Sequence, residues 1–327
     1  MKNRIETYIS YLSVNRRLSE ASLKAYLRDL ALYSDFLSRE GIQWDGVDNR
    51  TARNFLSHLS SLKYSNSGIN RSLSAVRGFY RYWVRADQIE LNPFDSVQGL
   101  KKSGRLPKTM AGRELDGLFS VIPESGFAGT RDRLIFELLY STGCRVSEAV
   151  GINISDFSSG YESLKVRGKG RKERIVFMGK QARMALTDYF PYRAALLNRV
   201  GESMNRSAIA ETNDGRRGEK KTGAREGIKP QGDPLFLNRR GGRLSVRGVT
   251  HILDYYSDKA GLTGRVSPHT FRHTFATDLL NNGANIREVQ EMLGHASLST
   301  TQVYTHVGIE NAKREYRKAH PHGGGRT

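Results

Sequence analysis

The chain has 327 residues, 38% of them hydrophobic, with 52 Lys and Arg against 33 Asp and Glu for a formal net charge of +19. That length suits about two domains, and so basic a surface attracts polyanions, nucleic acid first among them. No apolar run is long enough to span a bilayer, no polybasic segment adjoins an apolar anchor, and the opening MKNRIETYIS lacks a signal peptide's apolar stretch; with one cysteine, Cys144, no intrachain disulfide can form, so a cytoplasmic protein without a membrane partner is expected.

The pattern is helical up to about residue 98. Ile5, Ile9 and Leu12 open it at helical spacing. Ser19 is placed to cap a longer helix with Leu23, Tyr26, Leu27, Leu30, Tyr33 and Leu37 on its apolar face, and Gly41 ends it. TARNFLSHLSSL, from Thr51 to Leu62, reads as a shorter helix. From Ile69 the residues Leu73, Val76, Tyr80 and Trp83 repeat at three and four, and Asn92-Pro93 stops the pattern. Arg77, Arg81 and Arg85 share one face of this last helix, off the apolar stripe; beside the total charge, that face is a candidate contact for a DNA backbone. Residues 99–108, including LKKSGRLPK, are basic, contain Gly and Pro and lack periodicity, so they read as an interdomain linker, and two domains joined this way can clamp a duplex.

Beyond the linker, Leu134, Ile135, Leu138 and Leu139 mark a buried helix ending near Gly143. Leu164 and Val166 signal a strand, Gly168-Lys169-Gly170 a turn, and Ile175, Val176 and Phe177 a returning strand. Helix resumes from Met184. Residues 201–233 hold almost no large apolar side chain and read as a mobile surface insertion. PLFLNRRGGRLS resembles a short hairpin, helices fill most of the rest, and residues 321–327 read as a flexible tail. The expected fold is mainly α with a small β-hairpin in the second of two domains, 1–98 and 109–320.

Six side chains carry candidate chemistry. Ser267-Pro268 is placed to begin a helix, which puts His269 and Arg272 three apart on one face near an N-terminus that itself favours phosphate. Arg145 lies just past Gly143; its planar fork suits phosphate, and two arginines on one phosphate offset the charge that grows in a pentacoordinate transition state. Glu148, one turn on, is placed either to orient Arg145 or a histidine, or to be an ordinary surface acid. Lys169 stands at the tip of a glycine-flanked hairpin among Arg167, Arg171, Lys172 and Arg174; the lysine suits a general acid, and the four neighbours suit backbone contact. Tyr304 follows STTQV, with Ser299 a cap for a short helix and His295 nine positions upstream (304 − 295). Its phenol, with an unperturbed pKa of ~10, needs cations or a base before it attacks. Cys144 reads as a small buried residue.

This set resembles the tyrosine recombinase, or phage integrase, family over nearly the whole chain. The stretches STGCRVSEAVGI, SPHTFRHTFATDLL and LGHASLSTTQVYTHV are similar to the Xer branch, which resolves chromosome dimers in bacteria. The resemblance implies a helical core-binding, SAM-like domain, a linker and a catalytic domain. In it Arg145, Arg272 and His295 hold the scissile phosphate, Tyr304 attacks it, Lys169 protonates the leaving 5′-hydroxyl and His269 assists proton transfer. It also implies double-stranded DNA as partner, a homo- or hetero-tetramer on that DNA, and a C-terminal helix that docks on a neighbouring subunit, for which NAKREYRKAH is the candidate. No cofactor, metal, small-molecule substrate or ATP is implied, and no GxxxxGK[ST] loop is present. The insertion departs from simple Xer proteins. A mobile-element integrase, a type IB topoisomerase and a non-catalytic DNA-binding protein of the same fold are the alternatives.

Overall fold

The computed structural model describes residues 1–16, 18–101, 109–168, 173–213, 232–262, 266–294 and 306–323, without the side chains of 204–213 and 306–309. The chain divides into two compact units, Met1–Arg105 and Leu106–Thr327.

Four helices build the first unit: α1 (Lys2–Asn15), α2 (Glu20–Glu40), α3 (Asn49–Ser61) and α4 (Asn66–Arg85). Ser19 caps α2 by accepting from the Ser22 N–H, and Gly41 closes it in the left-handed region at φ 67°. Asp48 caps α3, which therefore starts two residues before Thr51. The core is aromatic: Tyr33, Phe55, Phe79, Tyr80 and Phe94 are fully buried. The two buried phenols are satisfied together, Tyr33 Oη and Tyr80 Oη lying 2.9 Å apart and Tyr80 donating to the Trp44 carbonyl at 2.6 Å.

Two expectations for this unit need correction. Arg77 is half-buried, and its guanidinium donates to the carbonyl of Phe94 at 3.0 Å and to that of Val97. It ties the 92–97 turn to α4 instead of facing outward, because that turn brings two carbonyl groups within reach of one guanidinium. Arg81 pairs with Asp95 at the surface, and Arg85 is exposed. Residues 99–101 are also no free linker. The Asn70 amide donates to the Leu100 carbonyl and accepts from its N–H, both at 2.8 Å, and Asn66 donates to the Lys101 carbonyl at 3.0 Å. The last helix ends at Arg85, well before Asn92-Pro93.

The second unit is built around α6 (Gly126–Thr142), flanked by α5 (Gly112–Ser120), α7 (Val146–Gly151), α8 (Lys180–Asn213), α9 (Val246–Lys259), α10 (Pro268–Asn281), α11 (Ile286–Leu293) and α12 (His306–Ala319). Leu134 to Leu139 of α6 are all buried, as expected of a helix packed on every side. The small sheet pairs β1 (Ser163–Arg167) antiparallel to β2 (Glu173–Phe177), with Leu164 opposite Val176 and Val166 opposite Arg174. The fold is mainly α with this one two-stranded sheet among the described residues. PLFLNRRGGRLS turns back on itself through a single bridge, Leu237 to Arg243, with Leu244 N–H donating to the Phe236 carbonyl at 2.9 Å.

Three expectations change here. Residues 201–213 continue α8 as helix, so the helical pattern runs through the first part of the polar stretch. The helix holding NAKREYRKAH is docked on its own unit: Ala312, Tyr316 and Ala319 are buried with Phe177, Phe275, Leu279, Val289, Met292 and Leu293. Tyr316 Oη lies 2.7 Å from Ser141 Oγ. The segment after it is held too. His320 is buried against the Tyr140 carbonyl at 3.2 Å, and the His322 carbonyl accepts from the Lys180 N–H at 3.1 Å. A Cβ on Gly179 would come within 2.3 Å of that carbonyl, so only glycine lets the tail lie there.

Candidate active site

The site begins where α6 stops. Gly143 adopts φ 58° and donates to the Leu139 carbonyl at 3.1 Å, ending the helix; a Cβ at this position would stand 2.4 Å from the Phe275 ring of α10. The chain then turns through buried Cys144, whose thiol burial pushes up to about 11, and Arg145 becomes the N-cap of α7. Cys144 is thus the small buried residue expected.

Glu148 settles its own ambiguity. It is buried, and each carboxylate oxygen is shared: Oε2 accepts from the Arg145 N–H at 2.8 Å and from Arg174 NH2 at 2.8 Å, while Oε1 accepts from Arg145 NH1 and Arg174 NH1, both at 2.9 Å. Burial pushes this carboxyl up, but the bonds from Arg174 and Arg145 outweigh it and hold the group below the usual carboxylate range. Glu148 therefore orients Arg145, whose side chain is still 38% exposed and free to meet a ligand.

Arg272 arrives from α10, which Ser267 caps by accepting from the Thr270 N–H, with Pro268 in the first turn. Its guanidinium is buried and donates from NH1 to the Gly143 carbonyl at 2.7 Å and from NH2 to the Leu293 carbonyl at 2.5 Å. It thus joins the C-terminal ends of α6 and α11, where carbonyls lack helical partners and a cation is favoured. Burial, and then the neighbouring Arg145 and Arg174 cations, press its guanidinium down to about 10. It remains charged at neutral pH. Three guanidiniums thus gather about one carboxylate, an excess of two positive charges (3 − 1) that suits a phosphodiester.

His269 stands exposed on the turn of α10 before Arg272, and neighbouring His273 is held below the usual histidine range by burial, His269 and Arg272. Of the six expected side chains, Arg145, Arg272 and His269 come together here. Lys169, His295 and Tyr304 lie outside the described residues, as do Ser299, Arg171 and Lys172. The structure nevertheless brings the chain just before His295 and the strand just after Lys169 together: α11 ends at Gly294 with φ 65°, and Arg174 of β2 lies beside that glycine.

Arg174 corrects the reading of the basic hairpin. It is not an outward grip on DNA but a buried cation, 7% exposed, bonded to Glu148 and to the Met292 carbonyl. Arg167 is likewise engaged, with Asp156 at 3.0 Å and Glu173 at 3.0 Å. The sequence did hold a signal for Arg174: strand alternation puts it on the face of Val176, opposite Val166, and both valines are core residues.

Both units match known protein families. Residues 108–310 match the phage integrase family and residues 5–87 the phage integrase N-terminal SAM-like domain; the chain belongs to the phage integrase family. It is 40% identical over 316 residues to tyrosine recombinase XerC of Listeria innocua serovar 6a, covering 96% of each chain. It is 37% identical over 323 residues to XerC of Bacillus subtilis, covering 98% of this chain and 97% of that one. Among solved structures, the XerH site-specific recombinase bound to palindromic difH substrate in a post-cleavage complex shares the fold with a TM-score of 0.66 at 22% identity, over 91% of this chain and 80% of that one. A lambda integrase (75–356) dimer bound to a COC′ core site does so with a TM-score of 0.63 at 15% identity, over 93% of this chain and 99% of that one.

Proposed function

We propose that this protein is a site-specific tyrosine recombinase that cuts and rejoins duplex DNA, acting as a Xer-type enzyme in resolving chromosome or plasmid dimers. The observation that carries the reading is the pair Arg145 and Arg272, fixed by Glu148 and by two helix-end carbonyls beside His269, in a chain 40% identical to a XerC over 96% of its length. Two anchored guanidiniums stabilise charge on the non-bridging oxygens of a phosphate without having to reorganise during the reaction.

In this reading Tyr304 attacks the scissile phosphorus. A bond forms from its phenolic oxygen to phosphorus as the bond to the 5′-oxygen breaks. Lys169 gives that oxygen its proton, and the phenol's proton leaves with the assistance of His269. His295 joins the arginines on the phosphate. The 3′-phosphotyrosine keeps the energy of the broken ester, and the 5′-hydroxyl of a partner strand reverses the step on a new strand. The helical unit acts as the core-binding domain and the second unit as the catalytic domain. Strand exchange between two duplexes takes four such sites, hence a tetramer on DNA, alone or with a second recombinase. Among the described residues no helix is long and apolar enough to cross a membrane, which agrees with a cytoplasmic enzyme.

The test is a nicked duplex that traps the covalent intermediate. The parent chain should give a protease-sensitive protein–DNA adduct, and Tyr304→Phe should abolish it while leaving duplex binding nearly intact. An adduct that survives in Tyr304→Phe would remove the assignment. Synapsis of two duplexes separates a recombinase from a topoisomerase of the same chemistry. Mapping bound DNA across the genome separates a Xer role, with one preferred locus, from a mobile-element integrase.

A further inference from the structure

A guanidinium is costly to bury unless every nitrogen finds an acceptor. Arg174 meets that condition with bonds to two other elements. Nε donates to the Met292 carbonyl at 2.9 Å, NH1 to Glu148 Oε1 at 2.9 Å and NH2 to Glu148 Oε2 at 2.8 Å. β2 is thereby tied to α7 and to the last turn of α11. Each carboxylate oxygen that takes Arg174 also takes Arg145, so a shift of Arg174 moves the carboxylate that orients Arg145. The neighbouring carbonyl, Leu293, takes Arg272. A Cβ on Gly294 would stand 3.1 to 3.3 Å from Arg174 Cδ, Nε and Cζ, so the chain leaves α11 directly against this side chain.

Resting on the recombinase reading above, we infer that Arg174 is a positioning residue: through Glu148 and the α11 terminus it holds Arg145 and Arg272 at the separation needed to grip one phosphate. It touches no substrate itself. The charged or titratable groups facing Glu148 are Arg145 at the start of α7, Arg174 from β2, Arg272 from α10 and the Cys144 thiol. Without Arg174 the buried carboxylate keeps Arg145 as its one directly bonded cation, and burial then favours its protonated form, which lets Arg145 go.

The experiment compares Arg174→Met and Arg174→Lys with the full-length parent on the nicked duplex. It measures DNA affinity against salt, single-turnover cleavage against pH, and the titration of the Glu148 carboxyl by carbon-13 NMR, assigned through Glu148→Gln. For Arg174→Met the inference expects unchanged affinity and salt slope, and cleavage slower by roughly 10²-fold near neutral pH, the scale of a misplaced catalytic group. It also expects the Glu148 carboxyl to titrate higher than in the parent, and part of the lost rate to return as pH rises. Arg174→Lys keeps the charge, so Glu148 should titrate as in the parent and the rate should fall less. A drop in affinity and salt slope with parental cleavage of bound DNA would overturn the inference and make Arg174 a DNA contact. A loss of rate equal at every pH, with the Glu148 titration unmoved, would overturn it in favour of a purely structural role. If Arg174→Met does not fold, Arg174→Lys decides: parental cleavage by it overturns the inference, and slower cleavage at parental affinity supports it. A parent that forms no adduct sinks the recombinase reading alone, because the NMR titration still tests the link between Arg174 and Glu148.

Discussion

Arg272→Lys separates the two tasks of one side chain. The arginine spans two carbonyls on different helix ends, Gly143 at 2.7 Å and Leu293 at 2.5 Å, from a buried position. A lysine ammonium is a single centre on a shorter reach, so one carbonyl loses its charged donor. Such a bond contributes about 1.5–3 kcal/mol. The second unit spans 222 residues (327 − 106 + 1), for which each kcal/mol lowers Tm by about 2–4 °C, so a fall of ~3–12 °C is expected. Cleavage should fall by roughly 10²-fold or more, as when an oxyanion donor is lost. The two effects also differ in pH dependence. Burial and the neighbouring cations press the guanidinium down to about 10; a lysine in the same place has a lower ordinary value and meets the same burial and cations, so it gives up its proton at a lower pH than the arginine does. Residual cleavage in the variant should therefore decline as pH rises through the mildly alkaline range, where the parent holds level. Thermal denaturation and single-turnover cleavage at 25 °C, across pH 6 to 9 or so, measure all three. An unchanged Tm refutes the role of the carbonyl bonds, and cleavage within a few-fold of the parent refutes contact with the phosphate.

Gly143→Ala should destabilise the second unit by about 2–4 kcal/mol, combining a left-handed backbone with a Cβ placed 2.4 Å from Phe275; a melting curve indistinguishable from the parent would contradict this. His320 is buried neutral, its imidazole lowered to about 3 chiefly by burial, so below its unfolded value of 6.5 the unfolded chain binds the proton that the native one refuses. Stability should fall by about 1.4 kcal/mol per unit as pH drops from ~6.5 toward ~3. His320→Gln should flatten that slope in urea melts. Lys169→Ala should slow cleavage of an ordinary phosphodiester far more than of a substrate with sulfur as leaving atom, since a thiolate departs without a proton; equal defects on both would return Lys169 to backbone contact.

Helix boundaries were legible where capping chemistry is local. Ser19 and Gly41 bracket α2, Ser267-Pro268 starts α10 and Gly143 and Gly294 close α6 and α11, because a cap is decided within four residues. What the sequence hid was which arginines turn inward. Arg77 and Arg174 look like the other basic residues of this chain, yet each meets carbonyl groups brought to it by distant segments, Phe94 and Val97 for one and Met292 for the other. Charge alone does not tell a solvated arginine from one that answers a helix end. For Arg174 the period-two pattern of its strand was the better guide. The same holds for the tail: His320-Pro321-His322 has the composition of a loose end, but its place is set by the Tyr140 carbonyl and by the lack of a Cβ on Gly179. For Arg145 the sequence offered Glu148, one turn away, as one of two readings, and the bonds between them decide for the pairing.

The docking of α12 bears on the order in which this protein is made. Ala312, Tyr316 and Ala319 share a hydrophobic cluster with Val289, Met292 and Leu293 of α11, and the carbonyls of Met292 and Leu293 are the ones that Arg174 and Arg272 hold. During synthesis, at ~5–20 residues per second, the helical first unit can fold while the second is still being made. The second cannot complete the packing around its arginines until residues near 320 have left the ribosome. A nascent chain would then carry a folded first unit for several seconds or more before it carried an assembled cutting centre, and a chain truncated before α12 would lack the packing that centre needs.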